Sequence, residues 1–465
     1  MLLLLFNTVV ALVTGFGLVY FLAATIPGVR FSRKEQASPL PPPPSASERQ
    51  QTYFLIPCLN EASVIGNTIH SLRAEVPQAR IVVVDDGSDD GTVAAALDAG
   101  GSDVRVVARA LPDARQGKGA ALNAGFRWIL QDAAARELDP ANTLICVMDA
   151  DGRLSEDGFS HVVDIFRNPA VGGVQLPVCI RNRDRFITLI QDLEFWGLSA
   201  TSQFGRNYSR TVSLGGNGQF TRLSALIGLG RQPWSNSLTE DLDLALSLGE
   251  QGWELATTSR AYVDQEGVDS WRRLIIQRTR WFQGHMQAIR HLPAIWKSRK
   301  VSNIAALEMT LYLLVPWVLT LPWSVVFHIA LGMLGVQLIT GTNTGFMVST
   351  ETVPLFLITS VAFYLISFFP MLFSGWLYHR RDRSYGLVRC LLLGHALLVS
   401  NYVAYTAAWR ALARILRGQN NWVKTDRSGE HEGIEAGYGG TESIPGPTVR
   451  PALNPGVPSH TGDQR

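Results

Sequence analysis

Short, unbroken apolar runs separated by polar turn residues recur through the first half of the chain, while much longer apolar blocks occupy its start and its last third. Residues 53–56, 81–84, 104–108 and 144–148 are runs of the short kind, and each reads as a strand buried on both faces. Between them the spacing turns helical. Val64, Ile65, Ile69 and Leu72 mark one helix; residues 93–99 form an alanine-rich second, with Asp90 or Thr92 placed to cap it; residues 120–130 form a third, opened by Gly117-Lys118-Gly119. Strands alternating with helices predict a parallel, doubly wound α/β sheet. Further on, the glycine-rich loop Gly215-Gly216-Asn217-Gly218 precedes a helix over 242–248 that begins at Thr239-Glu240-Asp241.

The long blocks call for a membrane. Residues 1–28 are almost wholly apolar and are followed by Arg30, Arg33 and Lys34, which predicts a span with its basic flank in the cytoplasm. A cleaved signal peptide fits less well, because a positive leading region is missing and the apolar run is too long. A basic, proline-rich linker covers 29–50, with Pro39 and Pro41 to Pro44 holding it extended. Blocks at 304–339 and 353–378 predict two more spans. The block at 387–412 is read as either a crossing or a re-entrant or interfacial element, since a further crossing places Arg414, Arg417, Lys424 and Arg427 outside. Residues 426–465 are poor in apolar side chains and predict a disordered tail. The layout is thus a span, a soluble domain over 51–270, an interfacial segment over 271–300, a bundle and a tail, at the plasma membrane with the soluble domain cytoplasmic.

Charge and cysteine content add little. A net charge of +2 gives no reason to expect nucleic acid, and the four cysteines are scattered through apolar runs, as reduced core residues would be. Residues 271–300 are different: eight Lys and Arg stand among Trp271, Trp281 and Trp296 with no Asp or Glu, the composition of a helix lying on anionic headgroups.

The candidate chemistry lies where the strands end. The run 144–148 leads into Asp149-Ala150-Asp151, and 81–84 leads into Asp85-Asp86. Open α/β sheets bind ligands at that rim, and clustered carboxylates suit a hard divalent cation, which in turn suits phosphate oxygens. Each motif alone has a plainer explanation. Asp can close a turn, Gly-Lys-Gly can be a turn rather than a phosphate cradle, and Thr239 or Asp241 can be a helix cap.

Taken in order, the motifs say more. Pro57-Cys58-Leu59-Asn60-Glu61, Asp85-Asp86-Gly87-Ser88, Gly117-Lys118-Gly119, Asp149-Ala150-Asp151, Thr239-Glu240-Asp241 and Gln277-Arg278-Thr279-Arg280-Trp281 together resemble the membrane-embedded branch of glycosyltransferase family 2, which includes cellulose, hyaluronan and poly-N-acetylglucosamine synthases. Asn421-Trp422-Val423-Lys424 resembles a segment after the last membrane element of such enzymes. The resemblance implies a GT-A domain binding a UDP-sugar. Asn60, Glu61, Asp85 or Asp86, Lys118 and Asp149 would bind the donor, and Asp149 and Asp151 would hold Mg²⁺ or Mn²⁺. Asp241 would be the general base, and Glu240, Gln277, Arg280 and Trp281 would face the acceptor. The implied activity is inverting transfer to a growing β-linked glycan coupled to export, with transfer of one sugar to a membrane lipid as the alternative. A bundle of about four spans is small for a lone export path, so a membrane partner subunit or a homo-oligomer is also implied.

Overall fold

The computed structural model describes residues 2–341 and 352–420. The expected tail over 426–465 and the segment beginning at Asn421 lie outside them. Among the described residues there are ten strands: β1 Thr52–Cys58, β2 Arg80–Asp85, β3 Val104–Ala108, β4 Leu144–Val147, β5 Arg153–Leu154, β6 Val171–Gln175, β7 Val178–Ile180, β8 Gln219–Arg222, β9 Glu254–Ala256 and β10 Val263–Gln265. Seven form the main sheet in the order β3-β2-β1-β4-β8-β6-β9, and β5-β10-β7 form a small second one. Alternation along β1 divides the core. Phe54 and Ile56 face the helices Ile65–Glu75 and Thr92–Gly100, while Tyr53 and Leu55 face the helix Lys118–Ala135.

The sheet is mixed, which corrects the expectation of a parallel one. β8 runs antiparallel to both β4 and β6. The cause is the glycine-rich loop: Asn217 Oδ1 accepts from the Asp149 amide at 3.1 Å, so the loop lies on the rim where β4 ends, and β8 must leave that rim running back down.

Among the described residues four helices are long and apolar enough to cross a membrane: Leu5–Ala37, Asn303–Thr340, Val353–Arg381 and Leu387–Leu416. The first runs on past the apolar block to Ala37, where Glu35 accepts from the amide and hydroxyl of Ser259 on the soluble domain, both at 2.6 Å. Irregular chain follows as far as the short helix Ala46–Gln50, closed by a capping box between Ser45 and Glu48. The second is interrupted at Pro316 by the π-helical turn Val315–Thr320. The last is a single unbroken helix of 30 residues, so it is not a re-entrant hairpin.

Glycines set how closely these helices approach. A Cβ on Gly28 would lie 1.9 Å from the Thr201 carbonyl, and one on Gly205 would lie 2.1 Å from that of Ala24. The N-terminal helix therefore crosses Ala200–Arg206 backbone against backbone, and Gly375 and Gly394 do the same between the last two helices. A polar cluster ties the bundle to the soluble domain. Asp192 accepts from the Tyr378 hydroxyl at 2.6 Å and the Ile180 amide at 2.7 Å, while Arg183 pairs with Asp192 and Asp382. Replacing Gly205 with Leu should force the N-terminal helix off the domain, lowering stability by about 1–3 kcal/mol, the usual cost of overpacking. Thermal unfolding of the detergent-solubilised protein checks this; an unchanged midpoint would mean the crossing is not tight.

Candidate active site

β1, β2 and β4 all end at one rim, and a cavity of about 220 Å³ opens there beneath the helix Trp271–Gln287. Buried parallel strands bring the ends of three distant segments together, which is why short motifs far apart in sequence share one wall. Glu61, Asp86, Lys118, Asp149 and Asp151 line the sheet side. Glu240 and Asp241 line it from the first turn of the helix Glu240–Glu250, and Gln277, Arg280 and Trp281 from the helix above. Asn60 and Asp85 are not in the lining. Asn60 instead holds the neighbouring loop, exchanging side-chain hydrogen bonds with Asp89 at 2.6 and 3.0 Å, and Asp85 Oδ1 accepts from the Ser88 amide at 3.3 Å.

Lys118 is the hub of the charges. Its ammonium donates to Asp149 Oδ1 at 2.8 Å and to the Gly216 carbonyl at 3.3 Å, and lies 3.9 Å from Glu240 Oε1. Burial works against its charge, but Asp149, Glu240 and Asp241 more than offset this, and its pKa is raised. Gly216 has φ +75, and a Cβ there would stand 3.0 Å from Asp241 Oδ2 and 3.1 Å from Lys118 Nζ, so only glycine lets the loop close over both.

Burial raises the pKa of Glu240 and Asp241, the Asp241 charge adds to the rise in Glu240 and the Asp149 charge to that in Asp241, and the charges of Lys118 and Arg280 pull both back down. The plain capping account of this turn fails, because Thr239 makes no cap hydrogen bond and Asp241 Oδ1 accepts only the next amide, that of Leu242, at 2.7 Å. Asp86 is likewise raised by burial, although Arg109 pairs with it.

Asp149 and Asp151 fit a divalent cation in a specific way. Among the described residues no three His, Cys, Asp or Glu side chains converge to form a complete cage. Mg²⁺ and Mn²⁺ do not need one when a diphosphate is present, since one or two carboxylates suffice and phosphate and water oxygens complete the shell. Asp151 is buried and oriented, its Oδ2 accepting from the Glu266 amide at 3.1 Å and its carbonyl from Arg181. The oxygen chemistry matches a hard ion.

On the acceptor side Trp281 meets Phe195 edge to face, with ring centroids 6.0 Å apart. Arg278 stacks over both rings and pairs with Glu194 at 2.7 Å. Phe195 was not legible in the sequence. It lies in the π-helical turn Leu193–Ser199 within an ordinary helical run, and that turn aims it into the cavity. Glu266 and Asp269, also in the lining, follow β10 without any motif to mark them.

The mixed α/β sheet with acidic strand ends at one rim has the GT-A fold. The chain belongs to glycosyltransferase family 2: residues 49–284 match the model of the glycosyltransferase-like family 2. It is 30% identical over 277 residues to the β-monoglucosyldiacylglycerol synthase of Trichormus variabilis, covering 56% of this chain and 55% of that one. It is 29% identical over 269 residues to the poly-β-1,6-N-acetyl-D-glucosamine synthase of Staphylococcus epidermidis, covering 55% of this chain and 60% of that one. The match thus takes in a little over half the length of these relatives. A mannosyltransferase from Pyrobaculum calidifontis, solved with GDP-Man and Mn²⁺, superposes with a TM-score of 0.52 over 85% of this chain and 98% of its own, at 16% identity, and shares the fold.

The charge network predicts a pH effect. Lys118 holds the Glu240 and Asp241 pKa values down, so a step that needs either carboxylate ionised will depend on it. In a Lys118→Met variant the acid limb of kcat/KM should therefore move to higher pH, by about one unit. A limb that stays in place would detach Lys118 from the base.

Proposed function

We propose that this chain is a membrane-embedded, inverting hexosyltransferase that takes its sugar from a UDP-sugar and passes it to a hydroxyl presented at the cytoplasmic surface of the bilayer. The observation that carries this is the meeting, in one cavity, of the rim carboxylates with Asp241 and with Trp281 of the interfacial helix. Asp86, buried at the carboxyl end of β2, accepts from the ring N–H of the uracil. Asn60 and Asp85 support this by shaping the loop beside it. Asp149 and Asp151 hold Mg²⁺ or Mn²⁺, which when bound neutralises charge on the diphosphate. Lys118 adds a fixed positive charge beside them, and Glu61 lines the donor side.

Asp241 takes the proton of the acceptor hydroxyl as its oxygen attacks the anomeric carbon, and the bond from that carbon to the diphosphate breaks on the opposite face. Its raised pKa makes it a stronger base than a free aspartate, while Lys118 and Arg280 keep it ionised. Gln277 and Arg280 orient the acceptor, and Glu240 shares the field around the base. Trp281, with Phe195, offers the apolar C–H face of a sugar ring a matching surface. The basic residues Arg30, Arg33, Lys34 and Arg380 favour a cytoplasmic catalytic domain at the plasma membrane.

Two acceptors suit this site. The aromatic pair and the likeness to a poly-β-1,6-N-acetyl-D-glucosamine synthase support a growing β-linked glycan, exported through the bundle alone or with a partner subunit or second copy. A lipid hydroxyl is favoured by a different feature. Phe186 and Trp271 are 52% and 42% exposed, and the nearby Arg185 and Arg273 pair with Asp269 of the cavity lining, an arrangement suited to a lipid held at headgroup depth. The likeness to β-monoglucosyldiacylglycerol synthases points the same way.

Membranes given radiolabelled UDP-glucose or UDP-N-acetylglucosamine with Mn²⁺ separate the two. Polymer excluded from organic solvent identifies the glycan reading, and label confined to solvent-extractable lipid identifies the lipid one. Unlabelled UDP should compete and GDP should not; equal competition would remove the uracil role of Asp86. Asp241→Asn should lower kcat by about 10²–10⁴-fold with donor binding retained. Full activity in that variant, or in excess chelator, would overturn the base or the metal assignment respectively.

A further inference from the structure

The helix that carries Glu240 and Asp241 is held at both ends by one histidine. His291 Nε2 lies 3.1 Å from Asp243 Oδ1 in the first turn of the helix Glu240–Glu250, and His291 Nδ1 lies 2.7 Å from Glu250 Oε1 at its last residue. Ionised carboxylates only accept hydrogen bonds, so both ring nitrogens donate and the ring is an imidazolium. Asp243 also accepts from Arg290 and from the Ser235 hydroxyl on its other oxygen. Asp243 is buried, and Asp241 is two residues away.

The opposite end of this strut is the acceptor helix. Trp271–Gln287 continues through the turn Ala288–His291, so His291 belongs to the same continuous stretch as Arg280 and Trp281. Two further contacts fix the angle between the helices. A Cβ on Gly284 would lie 2.4 Å from Thr239 Oγ1, so the helices touch just ahead of Glu240, and Leu242 and Leu246 pack with Ala288 and Ile295.

We infer that His291 is a positioning residue, whose doubly donating imidazolium holds the Asp241 helix in register with the Arg280–Trp281 face so that the base points at the acceptor hydroxyl. This rests on the reading of Asp241 as the base. The charged groups facing His291 are Asp243 and Glu250, with Arg290 beside it on Asp243. Burial disfavours its charge, yet the two carboxylates outweigh that and lift its pKa to about 9. The clamp is therefore complete below the ordinary histidine value of about 6.5 and is lost as pH rises through about 9.

The test uses the full-length protein in membranes, with UDP-glucose as donor, or UDP-N-acetylglucosamine if it turns over faster. In His291→Gln, kcat should fall by about ten- to a hundred-fold, the scale set by misplacement of about an ångström. KM for the donor and equilibrium binding of UDP should stay within about two-fold, because the donor half of the site is untouched. The alkaline limb near pH 9 should vanish, and His291→Arg, which keeps charge and two donors, should recover most of kcat with that limb moved upward. Wild-type kcat with an unchanged alkaline limb in His291→Gln would overturn the inference, as would parallel loss of UDP binding and kcat. An Asp241→Asn comparator separates the failures: if it is active, the base reading falls, whereas if it is inert and His291→Gln behaves as wild type, only the role of His291 falls.

Discussion

One ammonium among carboxylates holds this site together. Lys118 bonds Asp149 at 2.8 Å and lies 3.9 Å from Glu240, with the Gly216 carbonyl as a third contact. These groups come from the Lys118–Ala135 helix, the end of β4, the loop before β8 and the Glu240–Glu250 helix. Burying that many anions without a cation would drive them to protonate. With Lys118 in place they can stay charged in a partly buried cavity, where charges interact more strongly than in open water. The geometry of the rim, including the antiparallel return of β8, follows from the need to deliver Gly216 over that charge.

Much of the soluble domain could be read directly from the chain. Apolar runs of four to five residues located β1 to β4, and the carboxylates that follow two of them located the rim, because strand ends and ligand sites coincide in open sheets. What stayed hidden depends on contacts between distant segments. Nothing in the pattern around residue 219 distinguishes a strand that runs up from one that runs down. The Lys118–Asp149 pair, the Arg109–Asp86 pair and the His291 bridge each join segments far apart in sequence. Phe195 sits in a helical run whose π turn leaves no compositional mark.

The long apolar helices were easy to locate and harder to bound. Composition ended the first near residue 28, yet helical hydrogen bonding and the Glu35–Ser259 contact carry it to Ala37. That extension matters for function. Through the Gly28–Gly205 crossing and the Asp192–Tyr378 cluster, the bundle grips the segment that presents Phe195. The four apolar helices therefore help to fix where the Phe195–Trp281 pair lies beside the cavity.

The account stands on one cavity-lining aspartate, Asp241, acting as a base in a single displacement. Two carboxylates line this cavity side by side, and if either acted as a nucleophile the reaction would pass through a sugar–enzyme bond and retain configuration. The anomeric configuration of the glycosidic bond formed, read from its proton NMR coupling, decides between these chemistries. Starting from an α-linked UDP-sugar, a β-linked product is expected. An α-linked product would contradict the assignment of Asp241.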